Sequence, residues 1–146
     1  MKTYPICLIG LEQQPSIVIG GGQVAARKVI GLLDAGAHVK VIAPHLVPAL
    51  CALAAAGSID VCEREYRPGD LAGAFLVIAA TDDPAVNQQV WDEARQHGCL
   101  INVVDDPAHS NFIVPARVQR GDVTIAITTG GASPALARRL REQLER

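Results

Sequence analysis

The sequence predicts an α/β protein built on a doubly wound parallel sheet, followed by a small strand-strand-helix segment. Three observations predict it. An apolar run at residues 16–19 ends in three consecutive glycines and passes directly into helical periodicity. Strand-like and helix-like stretches then alternate as far as Pro107, the grammar of a parallel sheet with crossover helices. Beyond Pro107 the alternation stops, and two apolar stretches flank a polar turn with no helix between them.

Ser16-Ile17-Val18-Ile19 reads as the first strand and Gly20-Gly21-Gly22 as a tight turn. Ala25, Val29, Leu32 and Leu33 then recur on one helical face, and Gly36 is placed to end the helix. Val39-Lys40-Val41-Ile42-Ala43 is the second strand, so residues 16–43 make a βαβ unit with the usual right-handed crossover. A helix near 48–56 and a strand near 59–62 follow. The wholly apolar run 74–80 predicts a central strand covered on both faces. After it, Thr81-Asp82-Asp83-Pro84 offers an N-cap carboxylate with proline in the first helical position, and Val86, Val90 and Ala94 carry a helix to Gly98. The next strand, 99–104, closes on Asp105-Asp106-Pro107. Stretches 112–116 and 123–127 predict a hairpin around Gln119-Arg120-Gly121-Asp122, and Ser133-Pro134 opens a last helix. The expected division is a nucleotide-binding domain over residues 1–113 and a segment over 114–146 that is too short to bury a core alone. Such a segment is expected to pack on a partner subunit or a further domain.

The 146 residues suit one ordinary domain, and although 49% are apolar they come in short runs. No stretch approaches the roughly 20 apolar residues of a membrane span, and the start, Met1-Lys2-Thr3-Tyr4-Pro5, lacks the apolar core of a secretory signal. The expected location is the cytoplasm. Cys7, Cys51, Cys62 and Cys99 are scattered without a closely spaced pair, so they read as reduced space-fillers rather than as disulfides or zinc ligands. The net charge of −2 hides an asymmetry: residues 1–115 hold 7 basic and 12 acidic side chains, residues 116–146 hold 6 arginines and 3 acids. That patch suits an anion, or else is a solvated helix face; neither a nucleic-acid nor a membrane partner is expected.

Gly20-Gly21-Gly22-Gln23-Val24-Ala25 satisfies G-x-G-x-x-G/A where a strand gives way to a helix. Gly20 permits the turn, Gly22 lets backbone approach a pyrophosphate, Ala25 lets helix pack on strand, and the first amides of the helix face the phosphates. The acid expected on the adenosine ribose at the end of the second strand is missing, since that strand ends Ala43-Pro44-His45. No arginine stands there for a 2′-phosphate either, so the residues leave NAD against NADP open. Asp105 and Asp106 lie at the carboxyl end of a strand, where such sheets place catalytic groups. The competing reading makes both of them turn and cap residues before Pro107. Asp82 and Asp83 read as caps, His38, His97 and His109 as surface or loop histidines, and Trp91 as an interface residue.

These pieces in their order, from Ile17 through Gly20-Gly21-Gly22-Gln23-Val24-Ala25-Ala26-Arg27-Lys28, Leu33-Asp34-Ala35-Gly36-Ala37, Ile78-Ala79-Ala80-Thr81-Asp82-Asp83, Asn102-Val103-Val104-Asp105-Asp106-Pro107 and Thr129-Gly130-Gly131-Ala132-Ser133-Pro134, resemble the precorrin-2 dehydrogenases, the N-terminal module of sirohaem synthases. The resemblance implies a Rossmann-like NAD-binding domain, a dimerisation segment over 114–146 and a homodimer. It also implies oxidation of the tetrapyrrole precorrin-2 to sirohydrochlorin, with insertion of ferrous iron as a further substrate in bifunctional relatives. It makes Asp105 the candidate general base. It places the cofactor on Gly20, Gly21, Gly22, Gln23, Val24, Pro44, His45 and Thr81, and the tetrapyrrole near Thr128, Thr129 and Gly130; by charge, a wall of Arg117, Arg120, Arg138 and Arg139 is expected to meet its carboxylates or else to pair across a dimer. No resident metal is expected. Family members continue with a helical domain over the active site, so this chain is expected to be a piece of a longer protein. The alternatives kept open are a regulatory module that senses a dinucleotide without chemistry and a methyltransferase; the second would normally want an acid on the ribose.

Overall fold

The computed structural model describes residues 1–146. Pro15–Ile19 (β1), His38–Ile42 (β2), Asp60–Cys62 (β3), Leu76–Ala79 (β4) and Leu100–Val103 (β5) form one parallel sheet in the order β3-β2-β1-β4-β5. Gln23–Asp34 (α1), Pro48–Ala55 (α2) and Pro84–His97 (α3) supply three of the four crossovers, and residues 63–75 join β3 to β4 without a helix. The winding direction reverses between β1 and β4, which opens a crevice at their carboxyl ends.

The strands are apolar because both faces of the sheet are covered. Val18, Val41 and Ile78 pack with Ala25, Val29 and Leu32 of α1 and Leu50 of α2. Their neighbours Ile17, Ile19, Val77, Ala79 and Ile101 point the other way, onto Val90 and Ala94 of α3 and onto Leu71. Each such aliphatic side chain stabilises the fold by roughly 1.5–3 kcal/mol relative to exposure. The stop signals act as read. Gly36 (φ 80°) closes α1 with its amide on the Leu33 carbonyl and the Ala37 amide on that of Leu32. Asp83 Oδ1 accepts from the Ala85 amide at 2.9 Å ahead of Pro84, and Gly98 (φ 68°) ends α3.

The edge of β5 is covered by side chains from the loop that follows it. Asn111 Oδ1 accepts from the Ile101 amide at 2.8 Å, Asn111 Nδ2 donates to the Cys99 carbonyl at 2.9 Å, and Ser110 Oγ accepts from the Val103 amide at 2.9 Å. These bonds satisfy an edge that would otherwise template pairing with another chain.

By contacts the chain divides into two compact units, Leu8–Phe112 and a second made of Met1–Cys7 with Ile113–Arg146. The second unit pairs Ala116–Arg120 (β6) with Val123–Ile127 (β7) antiparallel and adds Pro134–Leu144 (α4), capped by Ser133 Oγ accepting from the Leu136 amide. The hairpin register departs from the sequence expectation of a first strand at 112–116. Arg120 faces Val123 directly, so the turn is Gly121-Asp122, with Gly121 at φ 55°. Pro115 has no N–H for a ladder, and the Phe112 carbonyl is taken by Asn102 Nδ2 at 3.0 Å. Only Val118 and Ala137 are buried within this unit.

Candidate functional site

A cleft of about 460 Å³ opens at the carboxyl ends of β1, β2 and β4. Gly20, Gly21, Gly22, Gln23, Val24, Pro44, His45 and Thr81 all line it. The three glycines differ in what they do. Gly20 (φ 129°) donates its amide to the Ile42 carbonyl at 3.0 Å, and a Cβ there would collide with the Ala80 carbonyl oxygen. A Cβ on Gly21 would collide with the His45 carbonyl oxygen, because the 43–47 loop crosses it and the Val47 amide donates to the Gly21 carbonyl at 2.9 Å. Gly22 faces open space, with nothing within 4 Å of where a Cβ would stand. It is also the N-cap of α1, and no side chain caps that helix. The first amides of α1 thus have neither an intrahelical nor a side-chain acceptor, as in α2, whereas α3 and α4 have their own side-chain caps. A helix start without a side-chain cap, beside a glycine with room for a ligand, fits a pyrophosphate.

Thr81 is committed to its own turn. Its hydroxyl donates to Asn87 Oδ1 at 2.7 Å and accepts from the Asp83 amide at 3.2 Å, while Asn87 Nδ2 donates to the Thr81 carbonyl.

Glu65 and Tyr66 complete the wall beyond β3, and the sequence reading passed over both. Their loop is held on two sides. Arg64 makes a paired bond to Asp70, 2.8 Å on each oxygen, and also donates to the Glu65 carbonyl. The guanidinium lowers the Asp70 pKa from its ordinary value. Tyr66 donates its phenol to Glu93 of α3, and that carboxylate, 8% exposed, also accepts from the Gly69 and Leu71 amides. Burial first, then Glu93, pushes the phenol pKa upward. The phenol's contribution to stability is thus complete below its ordinary value near 10 and is lost only as pH rises beyond it. The available signal was a charged residue three positions after Val90 on the apolar flank of α3. Glu93→Ala is expected to lower stability by roughly 2–4 kcal/mol, because it strands a buried hydroxyl and two amides. Thermal unfolding should fall by about 5–15 °C.

Asp105 lies outside that cleft, beyond β5, exposed and at φ 60°, the one non-glycine residue with positive φ. The neighbouring Val104 amide donates to the Ala79 carbonyl at 2.9 Å, which holds the turn against the end of β4. Lys28, half-buried on α1, is within electrostatic reach. Burial and then Arg27 pull its pKa down, and Asp105 opposes both. Asp106 has the capping job: Oδ1 accepts from the His109 amide, and Oδ2 lies 2.7 Å from His109 Nδ1. His109 in turn meets the Trp91 ring edge-on at 5.7 Å, so it attends Asp106 and α3 rather than Asp105.

The residues expected near a tetrapyrrole lie in the second unit. Thr128 Oγ1 accepts from the Gly130 amide at 3.1 Å and Thr129 Oγ1 from the Ser133 amide at 2.9 Å, which leaves each O–H to donate elsewhere. Gly130 (φ 61°) passes the Met1 carbonyl so closely that a Cβ would stand 2.8 Å from it. Arg117 is exposed on β6.

No helix is long and apolar enough to cross a membrane. A family profile described as "Putative NAD(P)-binding" matches residues 7–116, and one described as "Sirohaem biosynthesis protein central" matches residues 120–146. "Siroheme synthase 1" of Aeromonas salmonicida is 49% identical over 135 residues, 92% of this chain and 29% of that protein. "Siroheme synthase 1" of Pectobacterium atrosepticum is 47% identical over 145 residues, 99% of this chain and 30% of its own length. The chain thus spans about three-tenths of these curated relatives. Among solved structures, "SirC, precorrin-2 dehydrogenase" superposes with a TM-score of 0.83 at 33% identity, covering 99% of this chain and 69% of that one. An uncapped glycine turn at the sheet's switch point and profiles matching from residue 7 to the last helix lead to one conclusion: this chain belongs to the NAD(P)-binding family that includes precorrin-2 dehydrogenase and the corresponding part of the siroheme synthases.

Proposed function

We propose that this chain is an NAD-dependent precorrin-2 dehydrogenase module, oxidising precorrin-2 to sirohydrochlorin in sirohaem biosynthesis in the cytoplasm. The observation that carries it is the uncapped start of α1 beneath Gly22, in a cleft bounded by the ends of β1, β2 and β4. The chain's own residues would hold NAD there: the α1 amides at the pyrophosphate, and Pro44 and His45 toward the adenosine. When bound, NAD supplies the two-electron acceptor. Dehydrogenation also releases a proton along with the hydride, and Asp105, exposed at the carboxyl edge of the sheet, is the carboxylate to take it. The backbone turn that holds Asp105 fixes where its side chain starts, and Lys28 keeps a cation within reach of the carboxylate. Thr128, Thr129, Gly130 and Arg117 are proposed to meet the polycarboxylate substrate. The test is an anaerobic absorbance assay with precorrin-2 and NAD, repeated with NADP, and then with ferrous iron to probe chelation. Conversion with neither nucleotide would overturn the proposal in favour of a sensing module.

The segment 114–146 is proposed to form a homodimer. It buries only Val118 and Ala137, while Val123, Ile125, Leu136, Leu140 and Leu144 stay exposed on β7 and α4. Apolar surface left so uncovered marks an association face. Light scattering at micromolar concentration should report twice the chain mass; a monomer would remove this reading.

A further inference from the structure

We infer that Glu65 supplies the ribose-recognising carboxylate that β2 lacks, and so makes the cleft select the dinucleotide without a 2′-phosphate. This rests on the nucleotide reading of the cleft. In sheets of this kind an acid at the end of the second strand holds the adenosine ribose, but here β2 runs into Ala43-Pro44-His45. The next strand outward makes up the deficit. Ile42 pairs with Cys62, and His45 and Glu65, each three residues farther on, both line the cleft. An acidic residue therefore lines the wall next to the one where it is usually found.

Two further features fit that role. The backbone under Glu65 is fixed before any ligand arrives: its carbonyl accepts from Arg64 Nη1 at 2.9 Å, Arg64 is paired with Asp70, and the following Tyr66 is anchored on Glu93. A carboxylate on a braced loop loses little freedom on binding, which is what lets a hydrogen bond contribute affinity. The cleft is also lined without a single lysine or arginine, and Glu65 is the one acid it takes from the β2–β3 rim. A 2′-phosphate would find like charge and no cation. Asp83 already caps α3, and Asp82 stands beyond β4, away from the β2–β3 rim.

The test is calorimetric titration of the full chain with NAD and with NADP, for the parent, Glu65→Gln and Asp82→Asn. The parent should prefer NAD. Glu65→Gln should weaken NAD roughly 10-fold, the loss of a charge-assisted pair, and leave NADP unchanged or tighter, so that the preference collapses. Asp82→Asn should keep the parental ratio. Glu65 is exposed, so unfolding curves of the variants should overlay and any change in affinity is local. If Glu65→Gln retains both parental affinities, or if Asp82→Asn is the variant that erases the preference, the inference is overturned while the nucleotide site stands. If the parent binds neither nucleotide, the reading of the cleft itself falls, and the inference with it.

Discussion

Gly22→Asp is expected to abolish dinucleotide binding while leaving the fold as stable as before, or slightly more so. The position is extended rather than left-handed (φ −87°), and nothing lies within 4 Å of where a Cβ would stand, so the chain accepts a side chain there without strain. It is also the N-cap of α1, which has no side-chain cap, and aspartate is among the best residues for that place. The introduced carboxylate would satisfy the amides that a pyrophosphate needs and would set like charge against it. Unit charges about 4 Å apart near a protein surface repel by about 4 kcal/mol, roughly a 1,000-fold loss of affinity. Calorimetry and thermal unfolding on the same sample decide it. Parental NAD affinity in the variant would mean that the phosphates lie elsewhere. Gly20→Ala is the contrast, since its Cβ would meet the Ala80 carbonyl and the fold itself should suffer.

Asp105→Asn should lower precorrin-2 turnover by about 100-fold to 10,000-fold, the usual contribution of a positioned base, with NAD affinity unchanged. Binding should hold because Asp105 does not line the nucleotide cleft. Folding should hold because asparagine tolerates the left-handed conformation (φ 60°) as well as aspartate does, and no hydrogen bond is lost. Asp106→Asn is the comparison. Asp106 is a cap and the partner of His109, so Asp106→Asn tests the turn rather than an idle neighbour. Asparagine can keep the cap, and the pair is half-exposed, so the expected cost is about 1 kcal/mol or less, with turnover preserved. The assay should use the longest natural form of the protein. Turnover that survives in Asp105→Asn and fails in Asp106→Asn would reassign the base; survival in both would leave the proton to solvent.

What could be read from the chain is what local chemistry writes into adjacent residues. Apolar runs, helical periodicity, Asp83-Pro84, Ser133-Pro134 and the glycines at 36 and 98 each constrain a few neighbouring dihedrals, so their elements stand within a residue or two of the expected bounds. The glycine turn was legible for the same reason: a strand, three small residues and a helix in sequence leave the backbone few other paths. The hairpin was misjudged because register is a pairing property. Only the two-residue turn at Gly121-Asp122 and the capture of the Phe112 carbonyl by Asn102 decide which residues face each other. The rest of the site came from residues that are distant along the chain. Glu93 reaches back 27 residues to Tyr66, Glu65 lines the cleft because β3 lies beside β2, and Lys28 feels the charge of Asp105 from far along the chain. A carboxylate carries no mark of which partner it will meet. Whether it becomes a cap like Asp106, a buried tether like Glu93 or an exposed group like Asp105 is settled by burial and by neighbouring donors, and those exist only once the sheet has assembled.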